Sequence, residues 1–223
     1  KIYEGVAKII NDSEYNLLIS FKQSFRPMIT ERQIDAAIVM CPFISDEDIL
    51  LAAGFKIPVF LLDRKNLSSE YTYSNILDSY QGGRLATKHL VDMKYRKIAY
   101  LSGVSGSYVD EERYRAFNDI IDNVGYEIEK YVYIGDFTET SGYELAKKLK
   151  GKLPFEAIFC ANDEMSIGFI NACEEFGLAV PKDVKVIGFD NIEASKYVAG
   201  GISTINVKEN LWGEEVAKDL LKV

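Results

Sequence analysis

Short runs of Val, Ile, Leu, Phe and Ala recur along this chain, each followed by a longer stretch with helical spacing. An apolar run without polar alternation fits a strand buried on both faces, and such strands belong to parallel sheets covered by helices. On this pattern Tyr15–Ser20, Ala36–Cys41, Val59–Leu62, Ile98–Ser102, Tyr131–Ile134, Ala157–Cys160 and Val184–Phe189 are predicted strands. Ile2–Asn11, Asp46–Ala53, Tyr80–Met93, Asp110–Val124, Ser141–Lys150, Glu164–Phe176 and Leu211–Leu221 are predicted helices. Ser45 with Asp48 resembles a capping box, and Gly54 and Gly177 stand where C-caps are expected. The fold class is therefore α/β. Gly/Ser-rich breaks at Ser102–Tyr108 and Ala199–Thr204 interrupt two βα series. Two such layers, joined by more than one crossing, make two lobes with a cleft. Phe21–Glu31 is too short and irregular for a helical crossover, so residues are expected to be absent from the sequence there.

Composition narrows the function. The 223 residues are 48% hydrophobic, enough for a sizeable core in one large or two small domains. The net charge is −8, which makes this chain a poor binder of a phosphate backbone by itself. Cys41, Cys160 and Cys173 lie in apolar runs and read as buried reduced thiols, as in a cytoplasmic protein. No apolar run nears the roughly 20 residues of a membrane helix. A single histidine, His89, argues against His-based catalysis or a multi-His metal site. No catalytic residue, metal ligand or cofactor is assigned. The chain opens on Lys1, directly in an amphipathic helix, and Leu211–Val223 is still helical in pattern, so the natural protein is expected to extend further.

Ligands of open α/β sheets bind beyond the carboxyl ends of the strands. Five successive predicted strands are followed there by Asp63 and Arg64, by a Gly/Ser loop leading to Glu112 and Arg113, by Gly135, Asp136 and Phe137, by Asn162 and Asp163, and by Asp190 and Asn191. Carboxylates, an amide, a guanidinium and a ring on one rim suit a small polyhydroxylated ligand. Each also has a plainer role. Asp163 or Asn162 would cap the next helix. Asp190 would close a turn with Asn191. Phe137 would pack beneath the rim, Arg113 would pair with Glu112 or Asp110, and Asp63 with Arg64 would be a local ion pair. Gly103 and Gly106 lack the three-glycine spacing of a dinucleotide loop, and no Ser-His-Asp set exists without His89.

Together the segments Gly82–Leu90, Arg96–Gly103, Glu112–Phe117, Gly135–Phe137, Ser141–Tyr143, Ala161–Gly168, Val180–Asp190 and Ser203–Ile205 resemble the lactose-repressor/galactose-repressor family of bacterial transcription regulators. They run from Ile57 to Gly213 in the family's order. The resemblance implies a periplasmic-binding-protein-like fold of two Rossmann-like lobes with a ligand cleft. Residues 1–104 with 207–223 would form the first lobe and 105–206 the second. The family's first strand and its helix-turn-helix headpiece are expected before Lys1. By position, Arg113, Phe137, Asn162 and Asp190 match effector contacts: Arg113 and Asp190 for hydroxyls or a carboxylate, Phe137 for stacking on a ring. Tyr95, Ala116 and Val207 depart from the family's usual residues. The implied function is a cytoplasmic, homodimeric repressor whose effector, a sugar more than a purine, is coupled allosterically to operator DNA through the headpiece. A secreted sugar-binding protein of a transport system is the alternative, and an enzyme a remote third.

Overall fold

The apolar runs build two parallel sheets. The computed structural model describes residues 2–20, 22–40 and 44–223, so the reading of Cys41 lies outside the described residues. In chain order the elements are α1 (Ile2–Ile10), α2 (Lys22–Thr30), β1 (Ala37–Val39), α3 (Asp46–Gly54), β2 (Val59–Leu62), β3 (Thr72–Asn75), α4 (Ser79–Asp92), β4 (Lys97–Ser102), α5 (Tyr108–Asp122), β5 (Glu129–Ile134), α6 (Glu139–Leu149), β6 (Ala157–Cys160), α7 (Asp163–Glu175), β7 (Lys185–Asp190), a 3-10 turn (Glu193–Lys196), β8 (Ser203–Asn206) and α8 (Glu209–Leu220).

The chain divides into two compact units, Lys1–Leu77 with Lys208–Val223, and Asp78–Val207. This corrects the expected first boundary at residue 104. The Gly/Ser stretch after Ser102 is only the βα loop that follows β4. The strand itself is hydrogen-bonded between β5 and β6, and α4 packs on α5, so both belong to the second unit.

In the first unit β1, β2 and β3 form a parallel sheet in that order. Phe25 and Ile29 of α2 and Ile49 and Ala52 of α3 join Val59 and Leu61 in one core cluster. Phe60 and Leu62 point the other way, toward Trp212 and Val216 of α8. The Trp212 indole N–H donates to Asn75 Oδ1 at 2.5 Å, which ties α8 to β3. Three expectations are corrected here. Tyr15–Ser20 is not a strand; Tyr15, Leu17, Leu18 and Ile19 are exposed, and no described strand pairs with them. An apolar run is a strand only where a partner takes its backbone hydrogen bonds. The next segment folds as α2 despite Pro27, with Arg26 bridging to Asp48 and Glu47 at 2.6 and 2.7 Å. Gly54 is the last helical residue of α3, and the left-handed turn falls later, at Lys56. Ser45 does cap α3, accepting from the Asp48 N–H, and Gly177 follows α7 with φ +77°.

The second unit carries a five-stranded parallel sheet in the order β5-β4-β6-β7-β8. Its core holds Ile98–Leu101, Ala157–Cys160, Phe117, Phe169 and Phe189. The connection from β4 to β5 runs outward one way and the next runs back past β4 to β6. Right-handed crossovers then put α5 and α6 on opposite faces. The reversal makes a topological switch point between β4 and β6, where a crevice opens at the strand ends. The edge strands β3 and β8 are made mostly of Thr, Ser and Asn, so neither contains the apolar run on which the strands were predicted.

Candidate ligand-binding site

The switch point in the second unit gathers Arg113, Phe137, Asn162 and Asp190. Arg113 projects from α5 and is only 4% exposed. Its Nη1 donates to Ala161 O, just past β6, at 2.6 Å. The guanidinium carbon lies 3.6 Å above the centre of the Phe189 ring, a cation–π stack, and Nη2 stands 3.9 Å from Asp190 Oδ1. The Nε is buried with no hydrogen-bond partner among the described residues. A buried N–H without a protein partner is rare and leaves a donor open to a bound group. The surface pairings read from the sequence are not made: Glu112 bonds Arg115, and Asp110 turns inward.

Asp110 accepts from Tyr100 Oη at 2.6 Å and from Gly103 N at 2.8 Å. Burial raises its pKa above the usual carboxylate value despite these bonds, and burial likewise pushes the Tyr100 phenol well up. The bond to Gly103 N fixes the loop after β4, and Gly103 is the seat of the Phe137 ring. A Cβ at Gly103 would stand 2.1 Å from that ring, so no other residue fits there without moving it.

Phe137 is half-buried and has φ +68°, a left-handed backbone that an aromatic residue seldom adopts. Two neighbours hold it. Asp136 accepts from the Thr138 N–H and hydroxyl at 3.0 and 2.5 Å, bonds that keep the Asp136 carboxyl below its usual range. Asn162 Nδ2 donates to Phe137 O at 2.8 Å. Asn162 is also the N-cap of α7, its Oδ1 accepting from Met165 N at 3.0 Å. Its side chain thus already has one donor and one acceptor in use, and it shapes the site by pinning the Phe137 carbonyl.

Asp190 ends β7 with φ +105°, and Asn191 follows with φ +57°. The Asp190 side chain is 27% exposed. Asp163, whose plainer role was to cap α7, does not do so; it is buried behind Asp190 and bonds the loop after β7 and Thr204. The sequence reading passed over Thr204 and Gly188 as part of this site. An acid directly after an Asn N-cap, with a glycine inside β7 to receive it, is the signal that could have found them. Asp63 and Arg64 lie in the other unit and serve structure there: Asp63 Oδ1 accepts from Leu77 N at 3.1 Å, and Arg64 bonds Ile44 O and Asp46. Among the described residues no group of three or more His, Cys, Asp or Glu could hold a metal ion, and no helix is long and apolar enough to cross a membrane.

A doubly wound parallel sheet with an arginine, a carboxylate and an aromatic ring at its switch point is the arrangement of an α/β unit that binds a small ligand. The comparisons agree. The periplasmic binding protein-like domain family matches residues 87–223, more than half of the chain. A transcriptional repressor of Actinobacillus pleuropneumoniae serotype 3, PurR, is 31% identical over 204 residues, covering 90% of this chain and 60% of that protein. A sugar-binding transcriptional regulator of the LacI family from Enterococcus faecalis superposes with a TM-score of 0.89 at 28% identity, over 99% of this chain and 82% of its own. A LacI-family regulator from Enterococcus faecium, solved with bound ribose, does so with a TM-score of 0.88 at 24% identity, over 99% and 83%. The chain belongs to the periplasmic-binding-protein-like domain family and corresponds to the effector-binding core of the lactose-repressor/galactose-repressor, or LacI-family, regulators. It spans about 60% of the length of the curated relatives it matches.

Proposed function

We propose that this chain is the ligand-sensing core of a cytoplasmic, homodimeric bacterial transcriptional repressor, and that its ligand sits at the strand ends of the second unit. One observation carries the reading. The Arg113 guanidinium is buried and stacked on Phe189, its Nε–H lacks a partner, and the Asp190 carboxylate stands 3.9 Å away. A forked donor beside an acceptor suits a ligand that presents both kinds of group close together.

A sugar is the first reading. Each ring hydroxyl both donates and accepts, Arg113 and Asp190 answer both, and Phe137 offers an apolar face to the ring. A neighbour of the same fold from Enterococcus faecium holds ribose. A purine base is the second reading. Its edge also pairs donors with acceptors and its plane would stack on Phe137, and the relatives at about a third identity are repressors named PurR. A secreted transport protein draws no support from relatives that are transcriptional regulators. The same relatives argue against an enzyme.

With a net charge of −8, this chain does not supply the DNA contact; a basic headpiece elsewhere in the protein does. A twofold operator then mirrors the dimer. The ligand acts only if it binds the DNA-competent and incompetent states with different affinity. The test uses the protein in its full natural length and an operator selected from genomic fragments. Adding the sugar or purine that binds should change operator affinity by about 5–150-fold. An operator affinity unchanged at saturating ligand would contradict the proposal.

A further inference from the structure

A buried carboxylate stands behind Asp190. Asp163, the first residue of α7, is fully buried. An acid is almost never buried without partners, and the bonds of this one converge on the loop after β7 and on β8. Its Oδ2 accepts from the Ile192 N–H at 2.9 Å and its Oδ1 from the Thr204 hydroxyl at 2.6 Å. The Thr204 oxygen in turn accepts from the Asn191 N–H at 3.2 Å. The Ser195 hydroxyl donates to Ile192 O at 2.7 Å and closes the same loop. One side chain therefore governs both amides that follow Asp190.

Those amides belong to a turn the chain does not adopt by preference. Asp190 has φ +105° and Asn191 φ +57°. Asn tolerates left-handed backbone, but φ +105° at Asp190 lies beyond the usual left-handed region and persists only where the surroundings over-determine it. The strand makes room for the device with Gly188, where a Cβ would stand 2.1 Å from Asp163 Oδ1 and 2.9 Å from Ser166 Oγ.

We propose that Asp163 is a positioning residue that holds the Asp190–Asn191 turn and so sets where the Asp190 carboxylate meets a ligand. The second half of this statement rests on the reading of Asp190 as a ligand contact given above. Capping α7 is not the task of Asp163, because Asn162 does that.

The test replaces Asp163 by its isostere. In Asp163→Asn the charged acceptor is lost: an amide oxygen accepts more weakly than a carboxylate, and the side-chain nitrogen does not accept at all. Hydrogen exchange of the Asn191 and Ile192 amides in the ligand-free protein should speed up about tenfold, the loss expected for about one hydrogen bond. Thr204→Val removes only the relay: the Asn191 amide should exchange faster while the Ile192 amide does not. This second variant decides the matter if Asp163→Asn does not fold. Affinities for ribose and for purine bases are then measured by calorimetry in wild type, Asp163→Asn, Asp190→Asn and the double variant. Asp163→Asn should weaken binding about tenfold in the wild-type background and little in the Asp190→Asn background, because it acts through that side chain. Unchanged exchange at both amides overturns the proposal. So does an Asp163→Asn loss of the same size with and without Asp190, which is the mark of a merely structural role. Should wild type bind neither probe, the reading of Asp190 as a ligand contact falls, and the exchange rates alone decide whether Asp163 holds the turn.

Discussion

Among the described residues Arg113 makes one hydrogen bond, to Ala161 O just past β6, and the Phe189 ring lies beneath it. Around it, buried carboxylates do the fixing: Asp110 holds the loop under Phe137, and Asp163 holds the turn at Asp190. Burial raises the pKa of both. The sign of the consequence follows from linkage. The native state binds the Asp110 proton more tightly than the unfolded chain does, so ionisation of Asp110 costs stability above its folded pKa. That cost fades as pH falls through the raised value toward 3.8. As pH falls from 7 to 3.8 wild type should therefore gain stability relative to Asp110→Asn, measured by urea unfolding at both pH values. A wild type that loses ground to the variant on acidification would contradict the assignment. At this scale the sequence named the rim residues but not their supports. Phe137 and Asp190 were legible from their place after a strand. The plainer roles proposed for Asp163 and Arg113 were not the observed ones, because a buried hydrogen bond across 29 residues, such as Ile192 to Asp163, leaves no local trace.

The strands buried along their whole length, β2 and β6, were the most legible elements, for a physical reason. β6 is buried along its whole length, so all four of its residues are apolar and its limits match the run Ala157–Cys160. The edge strands β3 and β8 mix Thr, Ser and Asn with apolar residues and gave no such run. α2 was obscured by Pro27, and Tyr15–Ser20 was misread because apolar content alone does not supply a pairing partner. The central role of β6 has a measurable consequence. Phe159 is fully buried and meets the Tyr100 ring edge-on at 5.2 Å between centroids. Phe159→Ala should lower the stability of the second unit by about 3–5 kcal/mol, the range for a buried aromatic truncated to alanine. Denaturant unfolding followed by near-UV circular dichroism checks it; a loss below about 1 kcal/mol would mean the sheet centre is not the core described.

In the molecule as a whole, the boundary between units falls at Leu77/Asp78 and Val207/Lys208, where the chain passes from one sheet to the other. A composition break is a poor guide to such a boundary, because the Gly/Ser loop after β4 serves the site rather than joining domains. The class was legible in the sequence because it rests on an ordered set of segments along most of the chain, and the family match over residues 87–223 overlaps most of them. The ligand was less legible, since a forked donor beside a carboxylate answers a sugar and a purine edge alike. The central claim is that Arg113 and Asp190 bind a small ligand at the switch point of the second unit. The most direct test is titration calorimetry of wild type, Arg113→Ala and Asp190→Ala with a panel of sugars and purine bases, each variant first shown to be folded. The account predicts that one class binds wild type and that either substitution weakens it at least about tenfold, a loss of about 1.4 kcal/mol. Affinity unchanged in both variants would contradict it.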